Sequence, residues 1–233
     1  MNMSQRSYEK ELLDQDNIPF SDILATMKEL NVVNTLLGGH NITSKGVAFF
    51  LDKTPSTKTL AIAEIGSGGG DNLSAIRSFL QKKNRSFSLT GVDIKPECIQ
   101  YAQQHNTNDI HWICSDYRTT QWPDNKPDII FSSLFCHHFT DEQMTEQLKW
   151  LKENSKVGFF INDLHRHPLA YHSIRILTKL FSKSHLVIND APLSVRRSFR
   201  REDWVRLLEA AGINNYRITW HWAFRYLICV QWP

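Results

Sequence analysis

The sequence predicts an α/β domain built on a mostly parallel sheet with an antiparallel C-terminal end, preceded by a helical leader. Three observations predict it. The apolar run Leu60-Ala61-Ile62-Ala63 enters a glycine-rich turn, Glu64-Ile65-Gly66-Ser67-Gly68-Gly69-Gly70, which opens a helix-like segment at Asp71. Strand-like and helix-like segments then alternate as far as residue 162, and that order implies a parallel sheet with right-handed crossovers. The end of the chain, Tyr216 to Trp232, holds two β-rich aromatic runs that read as an antiparallel pair.

In the leader, Phe20, Ile23, Leu24, Met27, Leu30, Val33, Leu36 and Leu37 recur at helical spacing, and Gly38-Gly39 ends the run. Asn41 to Asp52 continues as a second helix, and Lys53-Thr54-Pro55-Ser56-Thr57 is a breaker-rich link into the first strand. Strands are expected at 59–65, 87–93, 110–114, 128–133 and 157–162, with helices at 71–82, 96–105 and 141–153. Residues 168–182 are amphipathic enough for a helix, 185–199 read as irregular, and Glu202 to Ala211 is a helix stopped by Gly212. The expected division is a leader or lid at 1–57 and a ligand-binding domain at 58–233, with a cap-like insertion at 165–200.

Composition bounds the function. A chain of 233 residues with 41% hydrophobic content can bury one full core. A formal charge of +3 does not by itself indicate a nucleic-acid partner. Cys98, Cys114, Cys136 and Cys229 lie far apart with no CxxC pair, so neither a metal site nor a disulfide framework is expected. The polar stretch Met1 to Asp16 lacks the apolar core of a signal peptide, and no run approaches the ~20 apolar residues of a membrane span. A cytoplasmic protein without a membrane span, monomeric or homodimeric, is expected.

Glycines let a backbone turn sharply and approach a ligand closely, and the following helix aims free N–H groups at it. A dinucleotide fingerprint, GxGxxG, would need glycine where Asp71 stands. The spacing is instead acidic-x-G-x-G-x-G, carried by Glu64, Gly66, Gly68 and Gly70. Carboxylates at Glu64 and Asp71 suit a ligand with a cationic amino group and a sulfonium better than a pyrophosphate.

These residues resemble class I S-adenosylmethionine-dependent methyltransferases over about 58–232, with several motifs in the right order. The resemblance implies a Rossmann-like, seven-stranded, mostly parallel sheet with an antiparallel C-terminal strand, and S-adenosylmethionine as cofactor. Glu64 to Gly70 is similar to the family's first motif, Gly91-Val92-Asp93-Ile94 to the acidic strand end that binds ribose, and Cys114-Ser115-Asp116-Tyr117 to the adenine motif. Residues Pro127 to Phe139 are similar to the fourth-strand motif of small-molecule, quinone-type methyltransferases. The implied cofactor site is Glu64, Gly66, Ser67, Gly68, Gly70, Asp93, Ile94, Asp116, Tyr117 and Ser133.

The acceptor is expected to be a small, hydrophobic or phenolic molecule methylated on oxygen. Its hydroxyl needs a base near neutral pH, and histidine titrates there. His138, in the pair after the fourth strand, and His165, after the fifth, are the candidates. Asn162, Asp163 and Arg166 offer His165 polar company, or Asp163 caps a helix starting near Leu164. Leu36, Leu37, Phe49, Phe50, Tyr171, Ile174, Leu177 and Phe181 are candidates for an apolar pocket or for ordinary helix packing, while Trp220, Trp222 and Phe224 are expected in the core and at the sheet edge. Glu11 to Asp14, the helix end Asn34 to Gly39, Asn162 to Arg166 after the fifth strand, and Leu193 to Phe199 resemble a bacterial subgroup associated with lipophilic phenolic or polyketide products. Arg196, Arg197, Arg200 and Arg201 read as a solvated basic face, with capture of an anionic substrate group as the alternative. Methylation of nitrogen or carbon, a non-catalytic cofactor-fold binding protein, and an NAD-dependent oxidoreductase are the competing functions.

Overall fold

The computed structural model describes residues 3–15, 18–52, 54–122 and 125–232. Lys53 of the expected breaker link and Asp16 of the polar N-terminus lie outside the described residues. The leader contributes a 3-10 turn, Leu12–Asp14, and helices α1 (Phe20–Leu36) and α2 (Gly39–Leu51). The alternating part runs β1 (Leu60–Ile65), α3 (Asp71–Lys82), β2 (Phe87–Asp93), α4 (Pro96–His105), β3 (Ile110–Cys114), β4 (Ile129–Ser133), α5 (Asp141–Asn154) and β5 (Gly158–Leu164). Then come α6 (Pro168–Phe181), α7 (His185–Arg197), α8 (Arg201–Ala210), β6 (Tyr216–His221) and β7 (Arg225–Gln231).

The seven strands form one sheet in the order β3-β2-β1-β4-β5-β7-β6. Strands β1 to β5 pair in parallel, and β7 runs antiparallel to both β5 and β6. The order reverses between β1 and β4, and such a switch point opens a crevice at the strand C-termini. Glu64, near the end of β1, lies opposite Gly91 of β2 and Phe131 of β4, at that crevice. Apolar side chains cover both faces of the sheet. Val47 and Phe50 of α2 join Leu73, Ile76 and Leu80 of α3 on one face. Met144, Leu148 and Leu151 of α5 join Trp204, Leu207 and Leu208 of α8 on the other. The second leader helix is therefore a core element: Val47 and Phe50 are fully buried, each side chain contributing about 1.5–3 kcal/mol of burial.

Residues 185–199 are mostly helical rather than irregular. Asn189-Asp190-Ala191-Pro192 reads as a breaker by composition, yet the helix runs through Pro192. Tertiary contacts override local propensity here. Ser184 caps the start by accepting from Val187 N, and Leu186, Val187, Leu193 and Val195 are buried. Asp190 accepts the backbone N–H groups of Leu12 and Leu13, at 2.8 and 2.9 Å, and so pins the leader turn. Strand β5 runs two residues past its expected end, so Asp163 lies in the sheet and does not cap a helix. His167 caps α6 instead, its Nδ1 accepting from Leu169 N. The β6 edge carries Trp220 exposed, and Trp222 projects from the following turn into solvent, so neither belongs to the core.

Candidate active site

The glycine loop is shaped by steric fit. At Gly66, with φ +67°, a Cβ would strike the ring of Phe135. At Gly68, with φ +51°, the backbone N–H donates to Asp93 Oδ2 at 2.8 Å. The other Asp93 oxygen accepts from Lys95 N at 2.9 Å. Burial raises the Asp93 carboxyl, against the lowering by these backbone donors. Each carboxylate oxygen has two lone pairs, so Asp93 still has acceptor capacity for ligand hydroxyls.

The loop lies against three carboxyl groups. Glu64 is fully buried, its pKa pushed well up by burial and by the neighbouring Asp71 and Asp93, and its Oε2 has no hydrogen-bond partner. Asp71 is half-buried, and its hydrogen bonds from His40 (2.8 Å) and Asn34 (3.0 Å) outweigh the desolvation and lower its pKa. An unpartnered buried carboxyl oxygen beside two further acids fits a ligand that brings cationic donors. It fits a pyrophosphate poorly.

A cavity of about 1370 Å³ opens over the loop. Glu64, Gly66, Ser67, Gly68, Asp93, Ile94, Asp116, Tyr117, Ser133 and His138 all line it, which brings together most of the residues expected from the sequence. Gly70 does not line it. It starts α3 at φ +80°, where a Cβ would meet the Trp112 ring, so its place is in packing. Asp116 is engaged by the Arg118 side chain and backbone. Tyr117 packs edge-on against Phe135, Phe139 and Trp150, and burial pushes its hydroxyl up to about 12.

His165 is not in the cavity wall. Its ring lies beside Tyr226 and His167, its buried Nδ1 is unpartnered, and burial, with the charges of His167 and Arg200, lowers its pKa to about 4. The polar neighbours point elsewhere. Asn162 donates to Gly39 O and Thr43 Oγ1, Asp163 binds His137, and Arg166 binds Asp203. A folded pKa below the unfolded value near 6.5 means that the unfolded chain binds more protons between pH about 4 and 6.5. Stability therefore falls with acid across that window, and His165→Asn is expected to flatten this limb in urea titrations compared with the parent.

His138 is placed differently. Its Nδ1 pairs with Asp14 Oδ1 at 2.9 Å, its Nε2 lies 3.8 Å from Glu11, and the residue faces the cavity. Burial raises Asp14, but the hydrogen bond and charge of His138, with Arg197, hold its carboxyl well below the usual range. Neighbouring His137 binds Asp163 at 2.8 Å through Nδ1 and is buried. Glu11, His137 and His138 each bring a donor atom within 4.8 Å of the others. Arg197 Nε stands 3.9 Å from the same Glu11 carboxylate, a fixed cation already balancing it, so the trio reads as an ion-pair cluster rather than a metal centre.

Arg197 overturns the expectation of a solvated basic face. It is buried and donates to Glu9 O, Asp14 Oδ2, His137 O and His138 O. Of the expected apolar-pocket residues, Leu36, Leu37, Phe49, Phe50, Tyr171, Ile174, Leu177 and Phe181 all lie outside the cavity wall. Phe50 sits in the core, and Leu36 and Phe181 face solvent. Ile23, Met27 and Leu30 of α1, with Phe135, Phe139 and Trp150, supply the apolar walls. Asp14 and Asn34, distant in sequence, line the cavity as polar groups to which the sequence reading gave no site role. The Glu11-to-Asp14 phrase marked the first, with no local signal of its partner.

The family described as a methyltransferase domain matches residues 62–158. The Arabidopsis thaliana protein named phosphoethanolamine N-methyltransferase 3 is 29% identical over 131 residues, covering 54% of this chain and 25% of that protein. The chain thus spans about a quarter of the length of that curated relative. Two solved structures show the same fold. The plantazolicin methyltransferase BpumL, in complex with SAH, has a TM-score of 0.67 at 17% identity, covering 89% of this chain and 90% of that one. Human N-acetylserotonin methyltransferase, in complex with SAM, has a TM-score of 0.63 at 19% identity, covering 91% and 56%.

Proposed function

We propose that this chain, which belongs to the class I S-adenosylmethionine-dependent methyltransferase superfamily, methylates a hydroxyl of a small, largely apolar acceptor. One observation carries the reading: the glycine loop, Asp93 and His138 line a single cavity together with an apolar wall of Ile23, Met27, Leu30, Phe135, Phe139 and Trp150. Glu64, Gly66, Ser67, Gly68, Asp93, Ile94, Asp116, Tyr117 and Ser133 would hold S-adenosylmethionine. When bound, its sulfonium supplies an electrophilic methyl group and leaves as a neutral thioether. The acids at Glu64 and Asp71 orient the cationic ligand, and the aromatic wall at Tyr117 and Phe135 excludes water. His138 takes the acceptor's proton at Nε2 while Asp14 holds its Nδ1–H and the imidazolium that forms.

Asp93→Ala is expected to weaken S-adenosylmethionine binding by about 1.5–3 kcal/mol, the range for hydrogen bonds to a charged group. Calorimetry reads this directly, and unchanged affinity removes Asp93 from the site. A second reading is N-methylation, favoured by the name of the curated relative. It predicts full turnover of an amine acceptor by a His138 variant, whereas a phenolic acceptor separates the two.

A further inference from the structure

Helix α6 is amphipathic with its apolar side turned outward. Leu169, Ile176, Leu180 and Phe181 are 62%, 58%, 69% and 77% exposed, and Leu177 joins them. At 3.6 residues per turn these positions form one stripe, while Ala170, Tyr171, Ile174 and Thr178 face inward. Arg175 and Lys179 flank the stripe, Lys183 follows the helix, and all three are exposed. Residues 168–189 contain no carboxylate at all. His167, which caps α6, stacks on Phe224 at 5.0 Å, and Phe224 has the rings of Trp222 and Trp220 at 6.1 and 6.0 Å. The exposed tryptophans therefore adjoin the start of the helix.

We propose that α6, with the Trp220–Trp222 edge, docks this protein onto an anionic lipid surface. The charge pattern selects the occupant. A second copy packed face to face would bring Arg175, Lys179 and Lys183 against their own counterparts, which repel. An anionic bilayer takes up the apolar stripe and pairs with every flanking cation, as surface-lying amphipathic helices do. Tryptophan suits the headgroup boundary, where one end of the ring is apolar and the other wet. The placement also serves access to the cavity. Glu29 of α1 accepts from Ser182 Oγ and from the backbone N–H groups of Lys183 and Ser184, joining the end of α6 to the helix whose Met27 and Leu30 line the cavity. The docking face is independent of which atom the enzyme methylates.

Co-sedimentation of the full chain with vesicles tests this. Binding is expected to phosphatidylcholine vesicles containing phosphatidylglycerol, with little binding to phosphatidylcholine alone and weakening as salt rises. Each cation near such a surface is worth roughly fivefold in partition, so Arg175→Glu with Lys179→Glu should lower binding by well over ~10-fold. Leu180→Glu with Phe181→Glu should do the same. All four side chains are exposed, so unchanged thermal midpoints are expected alongside. Absence of binding to the anionic vesicles, or binding indifferent to both double variants, overturns the proposal. A dimer that dissolves in the Leu180→Glu, Phe181→Glu variant, without vesicle binding by the parent, likewise overturns it and gives the face to a second copy.

Discussion

Replacing His138 with alanine is expected to lower kcat by about 10²–10⁴ on a hydroxyl acceptor, the usual range for a lost general base, with S-adenosylmethionine affinity retained. The substitution removes the ring and leaves its backbone carbonyl, which Arg197 binds, in place. Stability should therefore change little while turnover collapses. Asp14→Asn is the companion variant. Asp14 holds the His138 ring through Nδ1 at 2.9 Å and lies beside the imidazolium that proton transfer would form, so Asp14→Asn should lower kcat on a hydroxyl acceptor while leaving S-adenosylmethionine affinity unchanged. A His138→Ala enzyme that turns over such an acceptor at the parental rate sinks the assignment. Single-turnover kinetics with saturating cofactor distinguish that result from slow product release.

The strands and glycine loop were legible because they follow from local rules. Leu60 to Ala63 is a short apolar run, the glycines sit where the backbone must turn, and Asp93 ends the next strand. Parallel pairing of β1 to β5 follows from their alternation with helices, whereas the reversal of strand order beside β1 is set by long-range packing and was not read from the sequence. The α7 helix was hidden because Pro192 and Asn189-Asp190 mimic a loop, while the groups that offset their cost, such as the leader turn held by Asp190, lie far away in sequence.

The proposed proton-transfer wall was half legible. Both histidine groups follow parallel strands whose ends converge, so each was a fair candidate on topology. What separates them is long-range. His138 receives Asp14 from 124 positions earlier, whereas the polar neighbours of His165 are committed to Gly39, His137 and Asp203. Residues adjacent in sequence on an extended strand alternate sides, so nearness along the chain did not supply partners. The arginine cluster misled for the same reason. Its composition matched a solvated face, yet Arg197 points inward at carbonyls and carboxylates of the leader and the His137-His138 turn.

Arg197→Met is expected to lower the unfolding free energy by about 3–5 kcal/mol, the cost of removing one partner from a buried ion pair. The guanidinium serves Glu9 O, Asp14 Oδ2, His137 O and His138 O at once, and methionine can serve none of them. It also leaves Glu11, already raised by burial, without its nearby cation. Arg197→Lys should recover only part of the loss, since an ammonium lacks the planar fork of donors. Urea denaturation at neutral pH reads the deficit, and a loss under about 1 kcal/mol would place the pair with weak surface bridges. The pH dependence gives a second check. Asp14 has a depressed folded pKa, so its contribution is present above the unfolded value near 3.9 and is lost as pH falls through the folded one. The Arg197→Met deficit should shrink as that carboxylate is protonated. Because Asp14 both receives Arg197 and orients His138, the variant should also release the leader to proteases and lower kcat, linking the clamp on residues 3–15 to the chemistry of the cavity.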